Sequence, residues 1–547
     1  MVRSPWFWLL LGTAFSIAFL MQVPQLLHMS DLRYQGVLVH LNSDEYAYLA
    51  RVEEALTGRP EQAAEAIIGD PSVPGAQSAF LERFYGTLFQ WTGWRAATLL
   101  QVMDSVVPPL LFLAVWIFLF LSGFTRFQAF LGALLFVFLS LYNLNRPLYQ
   151  RASTLLTLLS MSGLLLGLKG HRWTGIAGAI LLGTLVGTYF WSWTYALVWC
   201  GLLFAWFLLR SLRGEASLRR LLILLCGFGA IALVAALPFL VELWRVAQHP
   251  LYDQAAQRSG MHPGRLPESW GYTGAFLLMF LGLSGAFLAK PQELKRFGIV
   301  FITLAASVIV IHQQLIHGVV FNYVSHSLFL LEISAIGVLL LSCSLRSRWL
   351  LFSLVGAVVY LAAIGYDGRH VFDQFRRDAG SYSEQHFASL LPVLDKLPRS
   401  TILSDPQTEM FLAGSTHHDV VTSLYLKNVL LSNEELAQRL CLALVPLPEE
   451  EWNIAQREYL IHPDASAAFG SSVRDQEVAL VTSVCAQVQA DVPDWVSRFG
   501  VAYILWDEER QPAWDPLRLR VPLTFMERGE GWSLWSIHDA GFQARTR

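Results

Sequence analysis

Two adjacent carboxylates, Asp44 and Glu45, stand in the run His40-Leu-Asn-Ser-Asp-Glu-Tyr-Ala-Tyr-Leu-Ala-Arg51. A carboxylate held at a helix start is suited to take a proton from a hydroxyl, which is general-base work. The same letters have a plainer reading. Asn42 or Ser43 caps a helix, and acids in the first turn suit the positive end of its dipole. Both readings hold together, because a capped helix mounts a carboxylate rigidly. Tyr48, Val52 and Ala55 share a face at helical spacing, and Gly58 stops the run. Tyr48 is a candidate substrate contact.

A second set of side chains suits an anion. Tyr142-Asn-Leu-Asn-Arg-Pro-Leu-Tyr-Gln-Arg151 carries Arg146 and Arg151 and no carboxylate. Guanidinium forks match phosphate geometry, although lipid headgroups would be met the same way. The loop from Glu242 to Tyr272 adds Arg258 and His262 as a possible phosphate clamp. The run Ile311-His-Gln-Gln-Leu-Ile-His317 offers His312, Gln313 and His317. His312 and His317 are five apart, which is not the i, i+4 spacing of a helical zinc pair. Glu82 and Trp191 complete the candidate contacts, with a polar helix face and an interfacial aromatic belt as their plainer readings. Glu332 lies inside an apolar run and has no assigned partner.

The elements that must position these groups are membrane helices. Of 547 residues, 54% are hydrophobic and 15% charged, against about 25% charged in a soluble domain. The apolar residues gather in blocks of the length that crosses the ~30 Å hydrocarbon core, where only helices satisfy the backbone. About eleven spans start near Pro5, Ser105, Arg126, Arg151, Trp173, Trp191, Arg220, Thr273, Phe297, Tyr323 and Trp349. The first reads as a retained signal anchor. Short basic loops, Arg210–Arg220 above all, alternate with acidic or long ones, so the positive-inside rule places the N-terminus inside. The loops 24–104 and 242–272 and everything after Asp367 are then outside. This gives a polytopic membrane domain over 1–366, and a small extracytoplasmic α/β domain over 367–547.

In that C-terminal part, strands are expected at Ser400–Ser404, Asp419–Ser423, Val501–Trp506 and Trp532–Ile537, and helices at Ser383–Lys396, Asn433–Leu440 and Ala486–Phe499. It shows no nucleotide fingerprint and no catalytic constellation. Cys441 and Cys485 pair if this part is extracytoplasmic, and the spacing alone leaves the question open. Basic residues do not gather on one face, which argues against nucleic acid as a partner.

A long first outer loop with Asp44-Glu45-Tyr-x-Tyr-x-Ala-Arg51 and Gly58, then Glu82, Gly86 and Thr92-Gly93, resembles the GT-C superfamily of membrane glycosyltransferases. The resemblance covers roughly residues 1–366. It implies transfer of a sugar from a polyprenyl-phosphate-linked donor to a hydroxyl of a glycan, lipid or protein acceptor, outside a prokaryotic inner or plasma membrane. Asp44 would be the base, with Glu45 as its alternate or as acceptor orienter, and the reaction would invert the anomeric carbon. Arg146, Arg151, Arg258 and His317 would meet the donor phosphate. Oligosaccharyltransferase-like members use a second acidic motif to hold a divalent metal. That motif is missing here, so neither a metal nor another cofactor is expected. En bloc transfer of an oligosaccharide, or a non-catalytic lipid-glycan transporter or partner subunit, are the alternatives.

Overall fold

A computed structural model describes residues 5–38, 45–59, 67–70, 73, 75, 78–140, 148–212, 214, 218–267, 269–321, 327–345, 347–377, 382–452 and 471–537. Asp44 and Arg146 lie outside the described residues. The chain forms two compact units. One comprises Met1–Val23, Gln101–Glu242 and Pro263–Arg377, and the other Pro24–Leu100, Leu243–His262 and Asp378–Arg547. The second unit thus gathers three stretches that are far apart in sequence.

The first unit is helical because its sequence offers no other way to satisfy the backbone in lipid. Among the described residues, seven helices are long and apolar enough to cross a membrane: Pro5–Met29, Ala96–Leu121, Gln150–Leu168, Phe190–Leu212, Leu225–Ala247, Trp270–Ala289 and Arg348–Tyr366. Four shorter apolar helices, Arg126–Ser140, Arg172–Gly187, Gly298–Ile311 and Leu328–Ser344, lie where four more spans are expected. The core of this unit packs Phe112, Val115, Phe136, Trp199, Phe276 and Leu331, each with no exposed surface. Polar side chains join the helices within it. Tyr195 donates to Thr303 O at 2.9 Å, and the Trp199 indole donates to Thr303 Oγ1 at 3.1 Å. Such interhelical bonds are worth roughly 0.6–1.7 kcal/mol in a bundle. Glu332 is fully buried and accepts from Ser140 Oγ.

The second unit is built on a five-stranded sheet. Its strands are β1 (Thr401–Leu403), β2 (Asp419–Val420), β3 (Val501–Asp507), β4 (Leu523–Gly529) and β5 (Trp532–Ile537). Their order is β2-β1-β3-β5-β4. β1 runs parallel to both β2 and β3, while β5 runs antiparallel to β3 and β4. Parallel strands are covered on both faces, so their residues are apolar without alternation. Ile402, Leu403, Val420, Ile504 and Leu505 accordingly have no exposed surface. Asp405 caps the helix Pro406–Ser415 by accepting from Gln407 N and Thr408 N. The expected helix over 383–396 is a 3-10 turn, Gln385–Ser389, followed by one short α-turn, Leu391–Leu394, that carries Pro392 in its first positions. Cys441 and Cys485 form a disulfide with Cα atoms 4.9 Å apart.

Candidate active site

The acidic helix runs Glu45–Leu56, followed by Gly58 in the left-handed region at φ 84°. Glu45 is its first residue and is half-buried. The helix belongs to the second unit and is fixed there along its whole length. At its start, Tyr46 Oη donates to Glu384 Oε1 at 2.5 Å. Burial, and then the Glu384 carboxylate, hold this phenol well above its usual range, so it stays a donor. Just upstream, Gln385 Oε1 accepts from Gln35 N and Val37 N, and its amide donates to Val37 O at 2.7 Å. Mid-helix, Arg51 pairs with the fully buried Glu82 at 2.9 Å. Farther on, Glu53 accepts from Ala96 N at 2.8 Å and pairs with Arg95. Glu54 pairs with Arg59 at 2.8 Å and with Arg399 at 2.9 Å. Burial pushes the Glu53 carboxyl up, and the Ala96 amide and Arg95 oppose it.

Two glycines permit this close packing. A Cβ on Gly86 would stand 2.6 Å from Ala55 O, and one on Gly414 3.2 Å from Tyr46 O. The helix therefore lies directly on Phe80–Phe89 on one side and Pro406–Ser415 on the other. Glu53 and Glu54 are only 7% and 4% exposed. They serve as anchors. Tyr48 is half-buried, at the exposed margin of the helix. Glu82 is a structural partner of Arg51 rather than an open contact.

Arg258 is 1% exposed. Its Nε donates to Lys427 O at 3.1 Å, Nη1 to Asn433 Oδ1 at 2.7 Å and Nη2 to Val429 O at 2.7 Å. Burial lowers its pKa to about 10. The guanidinium ties the 252–258 helix to the 424–433 segment, so its donors already face protein acceptors. His262 Nδ1 lies 3.1 Å from Gly260 O.

The other candidates belong to the first unit. Arg151 has no exposed surface and is paired with Asp104. Trp191 is 5% exposed within the core, so it is no surface belt residue. Both ring nitrogens of His312 are used, Nδ1 toward Val308 O at 2.7 Å and Nε2 toward Thr273 Oγ1 at 3.2 Å. Gln313 is buried, and its Nε2 has no hydrogen-bond partner among the described residues. His317 is exposed. Its Nδ1 accepts from Val319 N at 3.2 Å, which leaves Nε2–H as an outward donor. Partial burial and the neighbouring Arg265 hold this imidazole below its usual value.

Arg265 was not singled out by sequence. It is exposed and donates to Leu315 O at 2.7 Å, against the turn at Gly318. Its sequence signal was weak, one arginine in a long polar loop. Among the described residues no group of three His, Cys, Asp or Glu side chains is placed to hold a metal ion.

No family model and no curated protein matches the chain. Solved structures similar to it include the following two. One is the Archaeoglobus fulgidus oligosaccharyltransferase tethered with an acceptor peptide containing the NVT sequon via a disulfide bond. The match covers 98% of this chain and 75% of that one, at 13% identity and a TM-score of 0.45. The other is ArnT from Cupriavidus metallidurans bound to undecaprenyl phosphate. The match covers 98% of both chains, at 11% identity and a TM-score of 0.48. Neither likeness carries a residue role to this chain.

Proposed function

We propose that the chain is an integral-membrane glycosyltransferase that moves a sugar from a polyprenyl-phosphate-linked donor to an acceptor hydroxyl. The observation that carries this reading is the mounting of the acidic helix. A loop helix that only began with well-chosen capping residues would not need Tyr46, Arg51, Glu53 and Glu54 each engaged by buried or half-buried partners. Such rigidity is what a general base requires. Asp44 takes the proton of the acceptor hydroxyl as its oxygen attacks the anomeric carbon. Glu45 orients the acceptor or replaces Asp44 as base. The bond to the donor phosphate breaks as the new glycosidic bond forms, in one displacement that inverts the carbon.

Negative charge grows on the leaving phosphate, and preorganised donors lower the barrier by meeting it there. Arg146 and the Nε2–H of His317 are assigned to it, with Arg265 added beside His317; Arg151, fully buried and paired with Asp104, is not. No metal is invoked. We place the reaction and the second unit outside the membrane, in a topology of eleven spans with the N-terminus inside. The Cys441–Cys485 disulfide supports that side, because such bonds persist in oxidising compartments.

The test is lipid co-purification. Wild type and Asp44→Asn are purified in mild detergent and their bound lipid is identified by mass spectrometry. A polyprenyl-phosphate sugar is expected in both, enriched in the variant because transfer is blocked. Bulk phospholipid alone from both proteins would overturn the reading. Full transfer by Asp44→Asn would remove Asp44 as the base.

A further inference from the structure

The sheet of the second unit has a topological switch point. From β1 the chain passes through the helix Pro406–Ser415 to β2 on one side, and it later returns as β3 on the other. In open α/β sheets, ligands bind outside the carboxyl ends of the strands at such a point. Here the carboxyl ends of β1 and β3 carry a polar cluster drawn from separate stretches of the chain. Asp507, the last residue of β3, has no exposed surface. His386 Nε2 lies 3.2 Å from its Oδ1, while Arg510 Nε and Thr408 Oγ1 donate to its Oδ2 at 2.5 and 3.2 Å. Asp405, which follows β1, is 2% exposed.

Three buried polar atoms in this cluster have no hydrogen-bond partner among the described residues: Asp405 Oδ2, His386 Nδ1 and Arg510 Nη1. Buried polar groups are nearly always satisfied, so three in one cluster mark something that belongs there. Their chemistry can be read. With Nε2–H turned toward the Asp507 carboxylate, His386 presents Nδ1 as an acceptor, as Asp405 presents Oδ2. Arg510 Nη1 is a donor. The missing partner supplies two donors and one acceptor, which is what two neighbouring hydroxyls present. The charge around it rules against an anion. Four carboxylates, of Glu384, Asp405, Asp507 and Glu509, surround one guanidinium. At the rim, Glu509 is exposed and stands 3.7 Å from His386 Nδ1, and Arg510 Nη1 stands 3.7 Å from Glu384 Oε1.

We propose that this cluster is a binding site for a neutral vicinal diol of the kind carried by a pyranose, entered where the Glu509 side chain swings aside. The site is separate from the donor chemistry and does not rest on it. A trapped water would offer the same two donors and one acceptor, and that is the competing occupant.

Saturation-transfer NMR on the detergent-solubilised full chain, with the methyl glycosides of glucose, galactose and mannose as probes, distinguishes the two. At least one glycoside should receive saturation from the protein. Asp405→Asn keeps the helix cap through its remaining oxygen but turns the second acceptor into a donor. It should weaken binding at least tenfold with the Cys441–Cys485 bond intact. Glu509→Ala opens the rim and should bind the same glycoside at least as tightly as wild type. Equal transfer in wild type and Asp405→Asn would overturn the proposal. So would absence of transfer for all three glycosides with both wild type and Glu509→Ala, which would leave water as the occupant.

Discussion

Replacing Arg258 by methionine separates two roles for one side chain. The sequence offers the guanidinium to a donor phosphate, whereas the fold uses it to hold Lys427 O, Val429 O and Asn433. Hydrogen bonds to a charged group are worth about 1.5–3 kcal/mol each, so three set a gross loss of roughly 6 kcal/mol. Two effects offset it. Val429 O keeps the Leu431 N–H, and Lys427 is only half-buried. Methionine also removes a cation whose charge burial disfavours. The net loss expected is about 2–3 kcal/mol, which lowers the melting temperature of a unit this size by roughly 5–10 °C. Lysine, which can remake one of the bonds, should cost less. The assay is a tryptophan-fluorescence melt of the purified protein, joined to amide hydrogen exchange over residues 424–433, where protection should fall most. Bound lipid should be unchanged. A methionine variant that melts with wild type yet loses its co-purified lipid would refute this reasoning and return Arg258 to the phosphate.

Two further outcomes follow from the second unit. The Cys441–Cys485 bond spans a sequence separation of 44, which in the chain-entropy account stabilises the fold by about 4 kcal/mol. Because both sulfurs are fully buried, the cells are denatured before labelling; without a reductant these two thiols should then resist maleimide, and ready labelling would place the unit on the reducing side. Burial holds the His418 imidazole below its usual value, against its contacts with Leu394 O and Ser400 O. The unfolded chain therefore takes up a proton below about pH 6.5 that the folded ring resists, so stability is present above that pH and lost as it falls. Melts between pH 5 and 8 should show this slope in wild type and a shallower one in His418→Gln. Parallel slopes would exclude His418 as the cause.

The membrane helices were legible because apolar length is itself the physical requirement. Ten of the eleven expected starts fall within or a few residues from described apolar helices, and Tyr323 lies outside the described residues. The acidic helix was legible for a similar reason, since its cap and Gly58 are local signals. β1, β2, β3 and β5 announced themselves as short β-rich runs. β4 did not, because Leu523–Gly529 is an edge strand with mostly exposed residues and so lacks a buried face to mark it. The union of Pro24–Leu100 and Leu243–His262 with the C-terminal part left no trace in periodicity. It rests on pairs such as Arg258 with Asn433 and Tyr46 with Glu384, whose spacing carries no pattern. The cluster at Asp507 was missed likewise, because His386, Asp405, Thr408 and Arg510 meet only once the sheet has formed.

The bond between Tyr46 and Glu384 joins residues 338 positions apart. During synthesis the acidic helix and its partners Glu82, Arg95 and Ala96 emerge early, but Glu384, Arg399 and the helix Pro406–Ser415 arrive only after the described apolar helices have been made. A nascent or truncated chain can therefore insert its spans while the start of the acidic helix still lacks part of its mounting. The start of this helix is completed last, although its letters are written first.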